Sequence, residues 1–466
     1  MRIVLILVAL IFANPASAIT GKEVWQNWQM AGASHGWFVK QSHVTDLQHG
    51  IRVDDLLVSN DSGLVISLTG LTFADGANGE VKVAFGPKLE VLAPVTKTAL
   101  LTVESQGAVL LFKDAARGFA IAADSVALIS PDSANKAARF ALDSVTGGIT
   151  FGMPDGAKMI PIEASLHVGD IDYNISDISD PARVVLLDGK IHEVDFKGAA
   201  KMPVAMAGHD LAAEDAFKAG FGFDMTLTNG PMHAHVNSDA RDLNATGLAC
   251  KMTFTMDQGR FAFRDDCGDG ELRLKGPDTA TEAVLTLQKL LVQVSAPVNS
   301  MAKPSDVNFL VSLKDAKAND AVWAKVDPKN ALPHDPMSVV LDMAMLARWN
   351  IFDDATTEGF KPEAVNLRQF DLNIAGMAAS FSGHGITNPG NYAMPFGEGV
   401  LDGKVSGLNR LLNAIIDAGM VSSGDIFPVR AAMAIVFDPG ASADVLTTHV
   451  ETKQDGSIFV NGVQMK

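Results

Sequence analysis

Few side chains in this 466-residue sequence stand at spacings that chemistry would use. GASHG, Gly32 to Gly36, fits the G-x-S-x-G pattern in which a strained strand-to-helix turn lifts a serine toward substrate. A nucleophilic Ser34 would need a strand before it. The flanking residues read helix first and strand second, so helix termination is its expected role. DIDYNISD, Asp170 to Asp177, starts like a calcium loop, but Ile175 stands where the turn needs glycine and Pro181 where it needs a bidentate glutamate. An alternating strand is the expectation there. Asp265, Asp266, Asp269 and Glu271 could hold a divalent cation or solvate the base of a hairpin, and the second reading explains them as well. His233 and His235 alternate along a strand without an indicated third ligand. His334 lies in the loop LPHDP with no identified partner for proton transfer. No phosphate-cradling glycine loop, H-E-x-x-H or paired-carboxylate signature stands out. The sequence therefore assigns no catalytic residue, no cofactor and no metal. An enzyme is the less favoured class, a hydrolase on Ser34 or a histidine cluster being its concrete form.

The two cysteines, Cys250 and Cys267, bracket CKMTFTMDQGRFAFRDDC. A two-residue loop at Gln258-Gly259 would set the register of a hairpin. Asp257 then faces Arg260, Met256 faces Phe261, Phe254 faces Phe263, Met252 faces Asp265 and Cys250 faces Cys267. Counting outward from the loop places the cysteines at a non-hydrogen-bonded position, where α-carbons approach closely and a cross-strand disulfide fits. Zinc would need two more ligands, and a redox pair usually stands closer, as in C-x-x-C. The same register gathers Met252, Phe254, Met256, Phe261 and Phe263 on a dry face. Lys251, Thr253, Thr255, Ala262 and Arg264 take the wet one.

These residues need a compartment. MRIVLILVALIFANPASA carries Arg2, an apolar run from Ile3 to Ala13 and the small-residue ending Ala16-Ser17-Ala18 of a secretory cleavage site. Residues 1–18 are expected to be a cleaved leader and the mature chain to begin at Ile19 in the periplasm. No later segment reaches the ~20 apolar residues of a spanning helix, so no transmembrane segment is expected in the mature chain. Loss of Arg2 leaves 36 basic against 54 acidic residues, a net charge of −18 from the −17 of the whole chain. Such a surface repels phosphate backbones, so no nucleic acid is expected as a partner. The chain is 47% apolar and 20% charged, with 24 Phe and 19 Met against 2 Tyr. That excess suits either a generous core or an apolar groove, because Met reshapes around varied hydrophobic partners.

The elements follow from periodicity. Thr20 and Glu23 form a capping-box pattern, and Val24, Trp25 and Trp28 share a helical face, predicting a short helix that ends near Gly32. From Trp37 the period changes to two, and runs such as GLVISLTGLTF and EVKVAFGPKLEVL are broken by NDSG and DGANGE turns. A helix is expected near 211 to 220, with Asp210 as N-cap and Gly220 as stop, then more strands. APVNSMAKPSD, residues 296 to 306, reads as a loop and DPKNALPHDP, residues 327 to 336, as a rigid turn. LNRLLNAIIDAG and VRAAMAIVF predict two helices, the second capped by Asp425, and the chain should close in a hairpin turning at Asp455-Gly456. The expected fold is mainly β, an extended curved antiparallel sheet (open groove, partial barrel or sandwich) with a few short helices. Residues 19–208 form an N-terminal β-meander half. Residues 209–466 form a C-terminal β-rich half with the terminal helix pair and hairpin.

EVWQNWQ, AVWAKVDPKNALPHDP, GMVSSGDIFPVRAAMAIVF and DGSIFVNG together resemble domain-of-unknown-function family 2125, exported proteins of alphaproteobacteria. That likeness spans nearly the whole mature chain and implies a periplasmic location and a β-rich fold, with no site. VNLRQFDLNIAGMAASFSGHGIT and the helix pair before the last hairpin resemble modules of AsmA-like envelope proteins, whose long curved sheets enclose an apolar hollow implicated in lipid handling. The expected function is therefore non-enzymatic. It is binding of a lipid or other apolar ligand in a β-groove for envelope maintenance, with an interaction or scaffold role toward an envelope protein partner as the alternative.

Overall fold

The structure, a computed structural model, describes residues 20–34, 36–112, 118–130, 136–156, 158–179, 184–204, 213–238, 241–257, 259–276, 282–350, 360–387, 396–440, 442 and 444–465. Residues 1–18, expected to be a leader, and Asp210 lie outside them. The fold is mainly β, antiparallel strands with a few short helices, as the period-two runs predict. The chain divides into two compact units: Met1–His209 with Met225–Asp242, and Asp210–Asp224 with Leu243–Lys466.

The first unit opens with helix α1, Gly21–Ser34. Its capping box forms as expected, the Thr20 amide donating to Glu23 Oε2 (2.8 Å) and the Glu23 amide to Thr20 Oγ1 (3.2 Å). Asp75 adds a second cap by accepting from the Gly21 amide. Val24 and Trp25 are each 5% exposed, and Trp25 and Trp28 close on Phe73 with ring centroids 5.8 and 5.4 Å away. The helix runs two residues past the expected stop. Gly32 is buried inside it, and the chain turns instead at Gly36, whose φ of 74° a side chain would strain.

Simple alternation does not describe the strands beneath α1. In Gly50–Asn60 the buried residues are Ile51 and Val53, then Leu56 and Val58, so the inward set moves from odd to even positions. The partner strand Val65–Asp75 makes the matching step, with Ile66 and Leu68 followed by Leu71 and Phe73. Asp55 sits at the step with φ 49°, a left-handed conformation that turns the pleat over and keeps apolar side chains on one core. Ser144 (φ 55°) and Glu193 (φ 46°) sit at the same kind of step further on, where Leu142, Ile171 and Ile191 hand over to Val145, Val168 and Val194. Asp55→Gly is expected to hold stability or raise it by up to about 1 kcal/mol, while Asp55→Val lowers it by about 1–2 kcal/mol. Urea midpoints at constant slope would show the difference.

In the second unit, α2 (Ala213–Lys218) ends before Gly220, φ 96°, as predicted. Helix α3, Asp320–Val326, is too short for its period to predict; Asn319 caps it by accepting from the Val322 amide at 3.2 Å. The loop expected over 296 to 306 is shorter, because Ala296 and Pro297 still pair as strand and strand Ser305–Ala318 has already begun. Helix α4, Leu408–Ala418, stops at Gly419, φ 80°. Helix α5, Ser423–Val436, is capped by Ser422; Asp425 is its third residue, the reciprocal partner in a capping box rather than the cap itself. The closing hairpin turns at Gly456, φ 84°, where Asp455 Oδ1 accepts from the Ser457 amide at 2.9 Å.

Candidate functional site

The cysteine hairpin adopts the predicted register throughout, from Asp257↔Arg260 to Cys250↔Cys267. Gly259 supplies the left-handed turn residue at φ 73°, while Gln258 lies outside the described residues. The cysteine α-carbons are 4.0 Å apart and the sulfurs stand at disulfide distance. Replacing both, Cys250→Ser with Cys267→Ser, is expected to leave the fold intact and to cost at most about 3 kcal/mol, because the hairpin already restricts the unfolded chain. Denaturant titration of the oxidised and double-serine proteins measures it. The dry face is sealed near the turn, with Met256 6% and Phe261 9% exposed. It thins toward the cysteines, and Met252, expected inside, is 36% exposed opposite Asp265.

This face continues across the neighbouring strands Lys289–Pro297, Ser305–Ala318, Met337–Trp349 and Phe360–Ile374. Phe254, Phe263, Val294, Phe309, Met343 and Leu367 fall into one cross-strand row. Val292, Val311, Leu341, Phe370 and Phe381 fall into the next. A break in register between Leu367 and Phe370 restores the alternation, so both residues reach the apolar side. One end of the face is packed shut by Ala296 (0%), Val307 (4%) and Ala347 (0%), and the other by Ala379 (9%) and Val405 (3%). Between them every residue of the two rows is only half-buried. Under α1 the central Ile51, Val53, Leu71, Phe73, Val81 and Val83 are 0–2% exposed, and Val39, Leu64, Phe85 and Leu89 around them are half-buried. Phe381 lies over Gly403, where a Cβ would meet the ring at 2.4 Å, so glycine lets the aromatic surface spread onto the next strand.

The reverse side is mostly polar, with Leu291, Leu310 and Val340 half-buried among its polar residues, and it is tied together. Arg264 donates to Gln293 (3.1 Å), Asn308 to Ser295 (3.3 Å), and Arg368 to both Asn308 (2.7 Å) and Asp342 (3.1 Å). Lys289 and Arg264 together hold the Asp266 carboxyl below the usual carboxylate range. One side of this sheet region is thus fixed by hydrogen bonds. The other offers soft, half-covered aromatic and Met surface.

The remaining candidates resolve into structural roles. Ser34 is the last residue of α1 and strand Trp37–Lys40 follows, the reverse of a nucleophile elbow. Asp170 to Asp177 lie within strand Met159–Asp177. Lys190 and His192 bond Asp170 and lower its pKa. Of the acidic cluster, Asp266 is taken as described and Glu271 pairs with Arg273. Among the described residues the ligand-type atoms that gather are Cys250, Cys267 and Asp265, and two of these are joined to each other. His235 has Asp188 at 3.1 Å on one ring nitrogen and Asp242 at 3.0 Å on the other, leaving neither for a metal. His233 lines a hollow of about 330 Å³ with Arg139, Asp172 and Lys190. His334 stacks on Trp323 (4.3 Å) above the buried Asp327. Burial pushes the Asp327 carboxyl up, but the Ala331 and Leu332 amides and His334 outweigh it, and its pKa ends below the usual range. Ser382, Asp402 and His449 share a row around a second hollow of about 550 Å³. Their order defeats a triad: Asp402, bonded to His449 at 2.7 Å, stands between histidine and serine, two strand spacings or about 9.6 Å apart.

Comparison of the chain with family models, curated proteins and solved structures gives no match to any of the three.

Proposed function

We propose that this protein binds an apolar ligand, a lipid or its acyl chain, on the half-buried face that runs from the cysteine hairpin to Phe381. The observation that carries this reading is the row Phe254, Phe263, Val294, Phe309, Met343 and Leu367, apolar from end to end, with Phe254 stacked on Phe223 and Val294 packed against the shut end while the rest stays half-covered. A sheet face built only for stability would have a sealed centre like the one around Phe73, which these two rows lack. Rings give broad contact area and Met343 adjusts to irregular chains, so the surface suits a flexible hydrocarbon better than a rigid polar metabolite. The reading places the protein in the periplasm after removal of residues 1–18. Membership of family 2125 and a task in envelope maintenance belong to the same proposal, resting on the motifs quoted above.

Native mass spectrometry of protein recovered from its own periplasm tests it. The expected result is a population carrying non-covalent lipid mass, with displacement of a fluorescent fatty acid by added phospholipid. A clean apoprotein that neither retains lipid nor binds the fatty acid would overturn it. The sealed core around Phe73, Ile51 and Val53 favours a second reading, a scaffold that holds an envelope protein partner. Stoichiometric capture of such a partner without lipid would decide for that reading.

A further inference from the structure

Helix α5 exposes apolar side chains where a surface helix normally carries polar ones. In its sequence SGDIFPVRAAMAIV, Ile426 is buried, while Met433 and Val436 are half-buried. Phe427, Ala431 and Ile435, spaced i, i+4 and i+8, form an outward stripe, with Phe427 72% and Ile435 55% exposed. Asp425 is spent on the capping box with Ser422, so Arg430 is the helix's remaining charge.

Three features decide what covers the stripe. Its 14 residues make about 21 Å of helix, too short to cross a hydrocarbon layer of ~30 Å. Taken about 10 Å wide, it presents roughly 200 Å², well below the ~800 Å² per partner of a stable protein interface. The side chains flanking it are small, Ala432 and Ala434, and offer little for a protein partner to lock onto. Arg430 donates one N–H to Asn413 Oδ1 on α4, and its remaining guanidinium N–H groups complement a lipid phosphate at the flank of the stripe. The chain's net charge of −17 opposes anionic bilayers and leaves zwitterionic ones.

We propose that the outward stripe of α5 docks this protein on the surface of a zwitterionic phospholipid bilayer. Phe427 and Ile435 enter the boundary between headgroups and acyl chains, and Arg430 meets the phosphates. The inference is independent of the sheet face, since a protein can dock without binding a lipid molecule and the reverse.

Flotation with phosphatidylethanolamine–phosphatidylcholine vesicles tests it, using the full chain and variants that share residues 1–18, so that any difference belongs to α5. Phe427→Ser with Ile435→Ser is expected to lower the partition coefficient at least tenfold, with an unchanged melting temperature because both side chains are exposed. Phe427→Trp, which keeps an interfacial aromatic, should retain binding or raise it. Equal flotation of wild type and the double-serine variant would overturn the proposal, as would binding that requires anionic lipid. Dimerisation that the double-serine variant abolishes would overturn it in favour of a second copy.

Discussion

Phe73→Ala is expected to lower the unfolding free energy by about 3–5 kcal/mol and to release α1 from the sheet. Phe73 is fully buried, and both Trp25 and Trp28 rest on its ring. Its main chain is equally constrained. Gly50, paired beside it, has φ 121°, and a Cβ there would stand 1.9 Å from the Phe73 carbonyl oxygen. Truncating the ring leaves a cavity that the rigid strands Gly50–Asn60 and Val65–Asp75 can only partly close. The two tryptophans lose their shared contact together, so their emission should shift to the red at denaturant concentrations where the wild type is still folded. An emission spectrum and urea midpoint that both match wild type would show that α1 is held elsewhere, by its Asp75 cap and Val24. Gly50→Ala should be of similar severity through strain alone.

Period-two patterning and turn residues made most of the strands legible, and the cysteine hairpin could be registered residue by residue because its loop length left one pairing. The steps at Asp55, Ser144 and Glu193 were not legible. A polar residue inside an apolar run reads as an ordinary outward position, and nothing local marks that its φ has changed sign. Asp55 offered the better hint, since Asp tolerates the left-handed region and Val53 and Leu56 on either side break strict alternation. Helix α3 was missed because its seven residues are too few for a period, although Asn319 before Asp320 is an N-cap signal. The apolar face is a middle case. Phe254 and Phe263 could be assigned to it, but Phe309, Met343 and Phe370 join only through pairings set by distant strands and by the register break after Leu367. Sequence periodicity assigns a side to each residue; it does not say whether anything covers that side.

The sheet face yields the second large effect. Phe263→Ala with Phe309→Ala is expected to weaken fatty-acid binding at least tenfold and to strip co-purifying lipid, since the rings on either side of Val294 in the row both disappear. Because both are only half-buried, the stability cost should stay below that of Phe73→Ala. Met343→Leu keeps the volume of its neighbour and should change affinity little. A control on the reverse side separates binding from folding. Arg368→Gln removes the charge that ties Asn308 to Asp342 without touching the apolar rows, so it should lower the melting temperature while affinity stays at the wild-type value. If Arg368→Gln and the double-alanine variant reduced binding in proportion to their stabilities, the ligand would be sensing the folded state as a whole and the row would have no special claim. Loss confined to the double-alanine variant would instead locate the ligand on the side of the sheet that the hydrogen-bond network does not occupy.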